Sequence, residues 1–413
     1  MKRKILLGLA TIAIIYSAQA QQTTEMVSTG VGYTNSSFYS LENGEVANVS
    51  NENWDLAFNT SAYAVDIRIN GGKGVELYTY PNGDTTDWMN VDITNIANWT
   101  PNYNSNEYWE LGAFNVNATG SSGDYGWGTY NSVTHHVTGD SIYVIKTLAG
   151  TYKKLWIVSL ANGQYNFKYA DINNSNEVVE SITLANYADK NYFYYSIDNG
   201  TVIDREPSAG TWDLVITKYL AAQPQGGYYP STGVLTNKDL KTREARNVSP
   251  ATALWGDYTE EDKINVIGYD WKSFNMTTSS YDIVPDLSYF VTDRAGNIWH
   301  LVFTGFDGAS TGNIYFTKKM ISSVSIDEQN TSINIGVYPN PATEQFNLIF
   351  DNELGSNTTI KIMDLNGKVV FSQTSNAVGL VNTSISLANF SKGFYTIIVA
   401  NGEKIGVQKL IVE

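Results

Sequence analysis

The sequence predicts an all-β protein: two related β-sheet domains followed by a C-terminal Ig-like β-sandwich. Three observations carry this. Aromatic residues make up 13 % of the chain, with 28 Tyr and 10 Trp, and Asn, Ser, Thr and Gly punctuate short apolar runs, a mixture that suits sheets with polar turns. A tryptophan-led strand pattern occurs twice. The last stretch of the chain breaks into short strands at roughly 10-residue spacing, the pattern of a sandwich.

The repeated pattern starts at Trp54-Asp55-Leu56-Ala57-Phe58 and runs through Val65-Asp66-Ile67-Arg68-Ile69 into Asn70-Gly71-Gly72-Lys73-Gly74. Apolar and polar residues alternate up to the glycines, which reads as a half-buried strand closed by a turn that needs positive φ. Tyr39-Ser40-Leu41-Glu42-Asn43-Gly44 returns as Tyr195-Ser196-Ile197-Asp198-Asn199-Gly200, and the Trp54 strand returns as Trp212-Asp213-Leu214-Val215-Ile216. Further on, an offset of 296 − 150 = 146 superimposes Gly150 on Gly296, Tyr143 on Tyr289 and Leu155 on Leu301. That period is far above the roughly 20 to 50 residues of a solenoid, so it marks a duplicated domain or two pseudo-equivalent halves.

In chain order, residues 1–20 read as a secretory signal peptide: basic Lys2-Arg3-Lys4, a short apolar segment, then Ala18-Gln19-Ala20. Residues 21–190 form the first β-domain, with strands at Val75 to Tyr80, Tyr108 to Phe114, Ser141 to Ile145 and Lys154 to Val158. Asn162-Gly163 supplies a hairpin turn into Tyr165 to Tyr169, and a short helical turn near Asn95 to Trp99 stops at Pro101. Residues 191–321 hold the shortened second copy, residues 322–332 a polar linker, and residues 333–413 the sandwich.

Charge and composition exclude several functions. A net charge of −15 repels nucleic acid and anionic membrane surfaces. The absence of cysteine excludes disulfides, thiolate metal sites and cysteine nucleophiles, and three histidines are too few for a multi-histidine metal centre within one domain. No apolar run after the leader is long enough for a transmembrane helix.

The C-terminal stretch resembles the type A sorting domain of type IX secretion. The matching residues are Val337-Tyr338-Pro339-Asn340-Pro341, Met363-Asp364-Leu365-Asn366-Gly367-Lys368, Ser391-Lys392-Gly393-Phe394-Tyr395 and Lys409-Leu410-Ile411-Val412. Two prolines around Asn340 restrict the approach to the first strand, Asn366-Gly367 suits a tight hairpin, and Gly393 suits close backbone approach. The resemblance implies export across the outer membrane of a Gram-negative cell by the type IX machinery, removal of the tail, and a final place in the medium or on the cell surface.

The two preceding domains resemble the HmuY family of secreted haem-binding proteins, on the Trp54 to Gly72 stretch, Tyr143-Val144-Ile145-Lys146 with Gly150 to Leu155, and the hairpin ending in Phe167-Lys168-Tyr169. The second copy lacks Asn-Gly-Gly, so the match lies in framework residues and speaks to fold more than function. The family implies haem held by a pair of axial ligands on loops. The residues able to serve are His135, His136 and Met89. Adjacent strand residues point to opposite faces, so one histidine at most pairs with Met89, across a cleft that takes in Trp88, Trp127 and Tyr130. His300, in register with Lys154, reads as a solvent-facing strand position.

No catalytic constellation emerges. Gly120 to Gly128 lacks the Lys-Ser/Thr and helix of a phosphate loop. Asp84 and Asp87 fall short of a calcium loop, and Glu107 and Glu110 lie three apart on a presumed strand and so on opposite faces. No Gly-x-Ser-x-Gly elbow accompanies the histidines. The expectation is a secreted, non-enzymatic protein that captures haem or porphyrin. The competing expectation is a surface adhesion or carbohydrate-binding protein on the same scaffold, its aromatics stacking on sugar rings.

Overall fold

The computed structural model describes residues 22–61, 65–322, 333, 335–352, 357–365, 367–401 and 404–413. The expected leader, and all of the expected linker but Ser322, lie outside these. The chain divides into two compact units, Met1–Ser323 and Val324–Glu413, and the described residues are almost entirely strand and turn with a few single-turn 3-10 segments.

The first unit is built from four principal sheets. An outer sheet orders Val178–Thr183, Gln164–Asp171, Tyr152–Ala161, Tyr143–Lys146, Glu76–Thr79 and Pro101–Asn102, with Gly128–Asn131 and His136–Gly139 attached at one side. An inner sheet joins Thr201–Ile203, Tyr192–Ser196, Leu56–Asn59 and Ile67–Ile69. A second inner sheet joins Tyr228–Thr236, Leu214–Ala222, Asn35–Ser40 and Gly44–Ser50. A second outer sheet joins Thr23–Ser28, Asn313–Ser322, Ile298–Phe306, Leu287–Thr292 and Lys241–Arg246.

Because successive side chains alternate in direction, each inner sheet fills two cores. Leu56 and Phe58 pack on Tyr143, Leu155 and Phe167 of the first outer sheet, while Ala57 turns the other way with Tyr192 and Tyr194. Likewise Leu214 and Ile216 pack on Tyr289, Leu301 and Phe316, while Val215 joins Phe38 and Trp212. The Trp54 strand was expected to be half-buried; Leu56 to Asn59 are all buried, because apolar cover lies on both faces.

The repeat is exchanged. The Tyr195 hairpin pairs with the Trp54 strand, Tyr195 opposite Leu56, and the Tyr39 hairpin pairs with the Trp212 strand, Tyr39 opposite Leu214. Edge strands follow the same rule: Val178–Thr183 closes the first outer sheet beside Gln164–Asp171, and Thr23–Ser28 closes the second beside Asn313–Ser322. Each lobe is therefore finished by the opening of a repeat. The first lobe takes the next copy's opening; the second takes the chain's own beginning. Strands from both sides of residue 190 share the inner sheets, so the lobes run over residues 54–206 and over residues 23–50 with 212–322, instead of dividing at 190.

The 146-residue register holds in space. Tyr143 lies opposite Leu155 and Tyr289 opposite Leu301, and the intervening hairpin turns place Gly150 at φ +82° and Gly296 at φ +85°. The next strand pair carries an irregularity at Ile157/Ser159 in one lobe and Phe303/Gly305 in the other.

Two local expectations are corrected. Tyr108 to Phe114 is a loop, held by side chains that replace a strand partner. Asn104 accepts from Ile69 N–H (3.0 Å) and donates to the Ile69 carbonyl (2.7 Å). Arg68 donates to the carbonyls of Ser105, Tyr108 and Trp109 at 2.6, 3.0 and 2.8 Å. In the glycine cluster only Gly74 needs positive φ (+99°); Gly72 is required because a Cβ there would strike the Lys218 carbonyl, where the inner sheets meet.

The C-terminal unit is a sandwich. One sheet orders Ile335–Tyr338, Gln345–Asn352 and Gly379–Ser386; the other orders Val369–Ser375, Thr358–Met363, Gly393–Asn401 and Lys404–Val412. Phe346, Leu348, Ile360, Ile362, Ile397 and Leu410 fill its core.

Candidate functional site

The structure does not bring the three expected ligands together. His136 Nε2 lies 3.2 Å from Asn162 Oδ1, whereas Trp88, the neighbour of Met89, packs 6.5 Å from Trp156. Asn162 follows Trp156 by six residues of nearly continuous strand, a separation of roughly 20 Å at ~3.3 Å per residue. Met89 is 61 % exposed.

The aromatics expected to form one cleft are dispersed. Trp127 is fully buried with its indole N–H on the Val65 carbonyl (2.8 Å), and Trp88 is buried on the outside of the sheet against Glu177 (2.7 Å). His135, at φ +59°, does face a hollow: a pocket of about 310 Å³ lined by Tyr125, Val137, Leu160 and Leu184, where its Nδ1 lies 2.6 Å from the Tyr130 hydroxyl.

His300 is not solvent-facing. It stacks on Phe290 (centroids 4.7 Å apart) beneath the cover that holds Trp255 and Tyr258, its Nε2 is buried without a partner, and burial pushes its pKa down. The register mate Lys154 is fully buried, its ammonium on the Trp88 carbonyl (2.6 Å) and held below its ordinary pKa by desolvation. Asp84 spends one oxygen on Thr86, N–H at 2.8 Å and hydroxyl at 2.7 Å. The Gly120 to Gly128 loop leads into a strand, not a helix.

A larger hollow than the one beside His135 lies elsewhere in the first unit. A cleft of about 1330 Å³ opens between the loop that follows Pro101–Asn102 and the segment between Lys241–Arg246 and Leu287–Thr292. Arg68 and Asn104 fix the first wall as described, and Trp109 ties it across by donating to the Thr236 carbonyl (2.9 Å). Glu107 joins the walls twice: its carbonyl accepts from Ile264 N–H (2.9 Å) and its carboxylate pairs with Lys263 (2.9 Å), a bond that raises the Lys263 pKa.

Five tyrosines line the cleft, Tyr103, Tyr219, Tyr228, Tyr258 and Tyr269. Tyr103 and Tyr228 stack with centroids 4.3 Å apart, and Tyr228 is 39 % exposed. Glu107, Glu244, Asp257, Glu261 and Asp270 supply carboxylates against the single lysine, Lys263. Burial raises the Asp270 pKa, opposed by Arg246, whose guanidinium lies 2.6 Å away. Asn106, Asn115, Gln223 and Asn265 add groups that both donate and accept. Flat rings with amides and carboxylates suit a ligand that has apolar ring faces and many hydroxyls. Glu110 does not line the cleft, so Glu107 and Glu110 are not a working pair there.

Of these residues sequence reasoning had weighed only Glu107. Tyr103, Tyr258 and Tyr269 sit in stretches without strand periodicity. The one signal was the acidic, tyrosine-bearing run Asp257-Tyr258-Thr259-Glu260-Glu261-Asp262.

In the C-terminal unit the sorting-motif residues cluster near the chain end. Asn340 donates to the Lys409 carbonyl (2.7 Å) and accepts from Ile411 N–H (2.9 Å), clamping the Tyr338, Pro339, Asn340, Pro341 stretch to the last strand. The peptide bonds preceding Pro339 and Pro341 are both cis. Gly367 turns at φ +78°, and Lys409 lies 4.3 Å over Phe394. Gly393 was expected to permit close approach; a Cβ there would meet nothing within 4 Å, and its φ of +154° is the reason for glycine.

Residues 336–413 match the family model of the secretion system C-terminal sorting domain. The chain therefore carries a type IX sorting domain and belongs among proteins exported to the outer surface or the medium, with the type IX machinery as a partner. Among characterised proteins the chain is similar to ulvan lyase NLR42 of Nonlabens ulvanivorans, 34 % identical over 92 residues. That match spans 22 % of this chain and 16 % of the relative, well under two thirds of its length. Among the described residues no helix is long and apolar enough to cross a membrane.

Proposed function

We propose that this exported protein is a non-catalytic carbohydrate-binding protein, gripping neutral or amine-bearing sugar chains in the tyrosine-lined cleft of its first unit. The observation that carries the reading is the cleft itself: five tyrosines, one stacked pair, and five carboxylates, of which Glu107 is paired to Lys263 and Glu244 and Asp270 to Arg246, leaving Asp257 and Glu261 in excess. Such a surface repels uronate-rich or sulfated polymers and favours hydroxyl and ammonium groups. The similarity to an ulvan lyase, over 22 % of this chain, adds support for a polysaccharide-related role. A glycan array probed with the full secreted protein should report neutral or amino-sugar ligands. Uniform silence, or selection of acidic glycans alone, would overturn the reading.

One observation favours porphyrin capture as a second reading: His135 faces a pocket walled in part by Val137, Leu160 and Leu184, with Tyr130 against its Nδ1. Haem there would rest on His135 without Met89, and the two-ligand arrangement is set aside. Haemin titration should then give a Soret band that shifts on binding and is lost in His135→Ala. A band unchanged from free haemin in the parent protein ends this reading.

A further inference from the structure

The two inner sheets enclose a second cavity, of about 90 Å³, lined by Arg68, Arg205, Glu206 and Trp212 among others. Two of these carry buried donors with nothing to donate to. Arg205 is 7 % exposed and its Nη2 has no partner; Trp212 is 2 % exposed and its indole N–H has none. Both groups are obligate donors, so whatever satisfies them must accept.

The repeat explains how the vacancy in hydrogen bonding arises. In the first copy Trp54 donates to Asn51, three residues before it, at 2.9 Å. The corresponding residue before Trp212 is Ala209, which has no side-chain acceptor. The hairpin offset of 195 − 39 = 156 maps Arg205 onto Val49, so the second copy also places a guanidinium where the first has a methyl-bearing side chain. An acceptor has been removed and a cation added, at one cavity.

The charges around the cavity do not cancel. Among the described residues neither Arg68 nor Arg205 has a carboxylate within 4.0 Å. Arg68 is satisfied by three neutral carbonyls, and Arg205 gives its Nε–H to the Ser50 carbonyl (3.3 Å) with its plane near Tyr194, 4.8 Å, and Trp54, 5.4 Å. Glu206 directs its oxygens to the Tyr194 hydroxyl and Asn191 N–H, both at 2.8 Å. Among the residues lining the cavity, two buried guanidinium groups thus face one carboxylate, Glu206, which is hydrogen-bonded to other groups and acts on Arg205 through its charge alone, inside a chain whose overall charge is −15.

We propose that this cavity is a binding site for a small inorganic monoanion, a halide or nitrate, held by Arg205 Nη2–H and the Trp212 indole N–H. A volume of about 90 Å³ admits such an ion together with water. The site is separate from the open cleft and stands or falls independently of carbohydrate binding.

The test uses the full secreted protein at fixed ionic strength, with sodium bromide exchanged for sodium gluconate, following the unfolding midpoint and the bromide anomalous signal in crystals. Bromide should raise the midpoint and give a peak between Arg205 and Trp212. Trp212→Phe keeps the ring and removes the N–H, and Ala209→Asn restores the acceptor found in the first copy; each should weaken the bromide response about tenfold, the loss of one charge-assisted bond. A cavity holding water only, with equal midpoints in the two salts, would overturn the proposal, as would an undiminished bromide response in both variants.

Discussion

The two lobes are copies that have been completed differently. In the first, every strand comes from one continuous stretch, with the closing hairpin at its end. In the second, the closing edge strand and hairpin lie at the start of the chain: Thr23–Ser28 pairs with Asn313–Ser322, about 290 residues away, and Tyr39 of the hairpin lies opposite Leu214. The lesson is that the exchange makes one unit of two copies. Neither copy, cut at the sequence repeat, contains its own lid. Loop-closure entropy grows only slowly with length, so joining distant ends is thermodynamically tolerable. It delays the second lobe's completion until the whole chain is present.

The largest expected effect breaks this comparison outright. Removing residues 22–50 deletes the edge strand and hairpin that finish the second lobe and leaves the first lobe's strands intact. Hydrogen exchange should then show Leu287–Thr292 and Ile298–Phe306 unprotected while Tyr152–Ala161 stays protected; equal loss in both lobes would refute separate completion.

A finer contrast lies in the aspartates that follow each tryptophan. Asp55 is fully buried and accepts from Leu148 N–H (2.9 Å) and Ile197 N–H (2.7 Å); Asp213 accepts from Leu41 N–H (2.7 Å). Burial raises the pKa of both. Asp55→Ala strands two buried donors and should cost about 3–5 kcal/mol in urea unfolding, against about 2 kcal/mol for Asp213→Ala. Equal losses would mean the two caps carry the same load.

The middle layer supplies a pH test. Burial raises the Glu206 pKa from 4.5 to about 7, with Tyr194 and Asn191 opposing the shift. Between those values the folded chain holds a proton that the unfolded chain releases, so unfolding free energy falls as pH rises from about 4.5 to about 7 and levels above. The span amounts to roughly 3 kcal/mol. Glu206→Gln should remove that slope and leave the protein more stable than the parent above pH 7; an unchanged slope would assign it to other groups.

Smallest of all are the matched turns. Gly150→Ala and Gly296→Ala each force a Cβ into positive φ, at Gly150 with open space around it, and each should cost about 1 kcal/mol, equal within error.

Much of the fold was legible in the residues. Trp54 and Trp212, the paired Tyr-Ser hairpins and the Gly150/Gly296 register identified the duplication, and the Asn162-Gly163 turn fell where expected, at φ +52° and +71°. The exchange was not legible, because alternation states which residues face a partner and is silent on which copy supplies it. Tyr108 to Phe114 misled for a related reason: its apolar residues pack, yet Arg68 and Asn104 satisfy the backbone that a neighbouring strand would otherwise pair. The cleft was hidden because Tyr103, Tyr258 and Tyr269 come from aperiodic loops, Tyr103 and Tyr258 over 150 residues apart in sequence, and only the folded lobes bring them beside Tyr219 and Tyr228 on their strands. The sorting domain was the most readable part, since Tyr338-Pro339-Asn340-Pro341, Gly367 and Lys409 carry their geometry locally.

The most direct test is a crystal structure of the secreted protein soaked with the strongest neutral or amino-sugar ligand from the array. The account predicts sugar density in the open cleft, stacked on the Tyr103–Tyr228 pair and hydrogen-bonded to its carboxylates, and lost in Tyr228→Ala. Sugar bound elsewhere on the first unit, or retained in the cleft without that tyrosine, would contradict it.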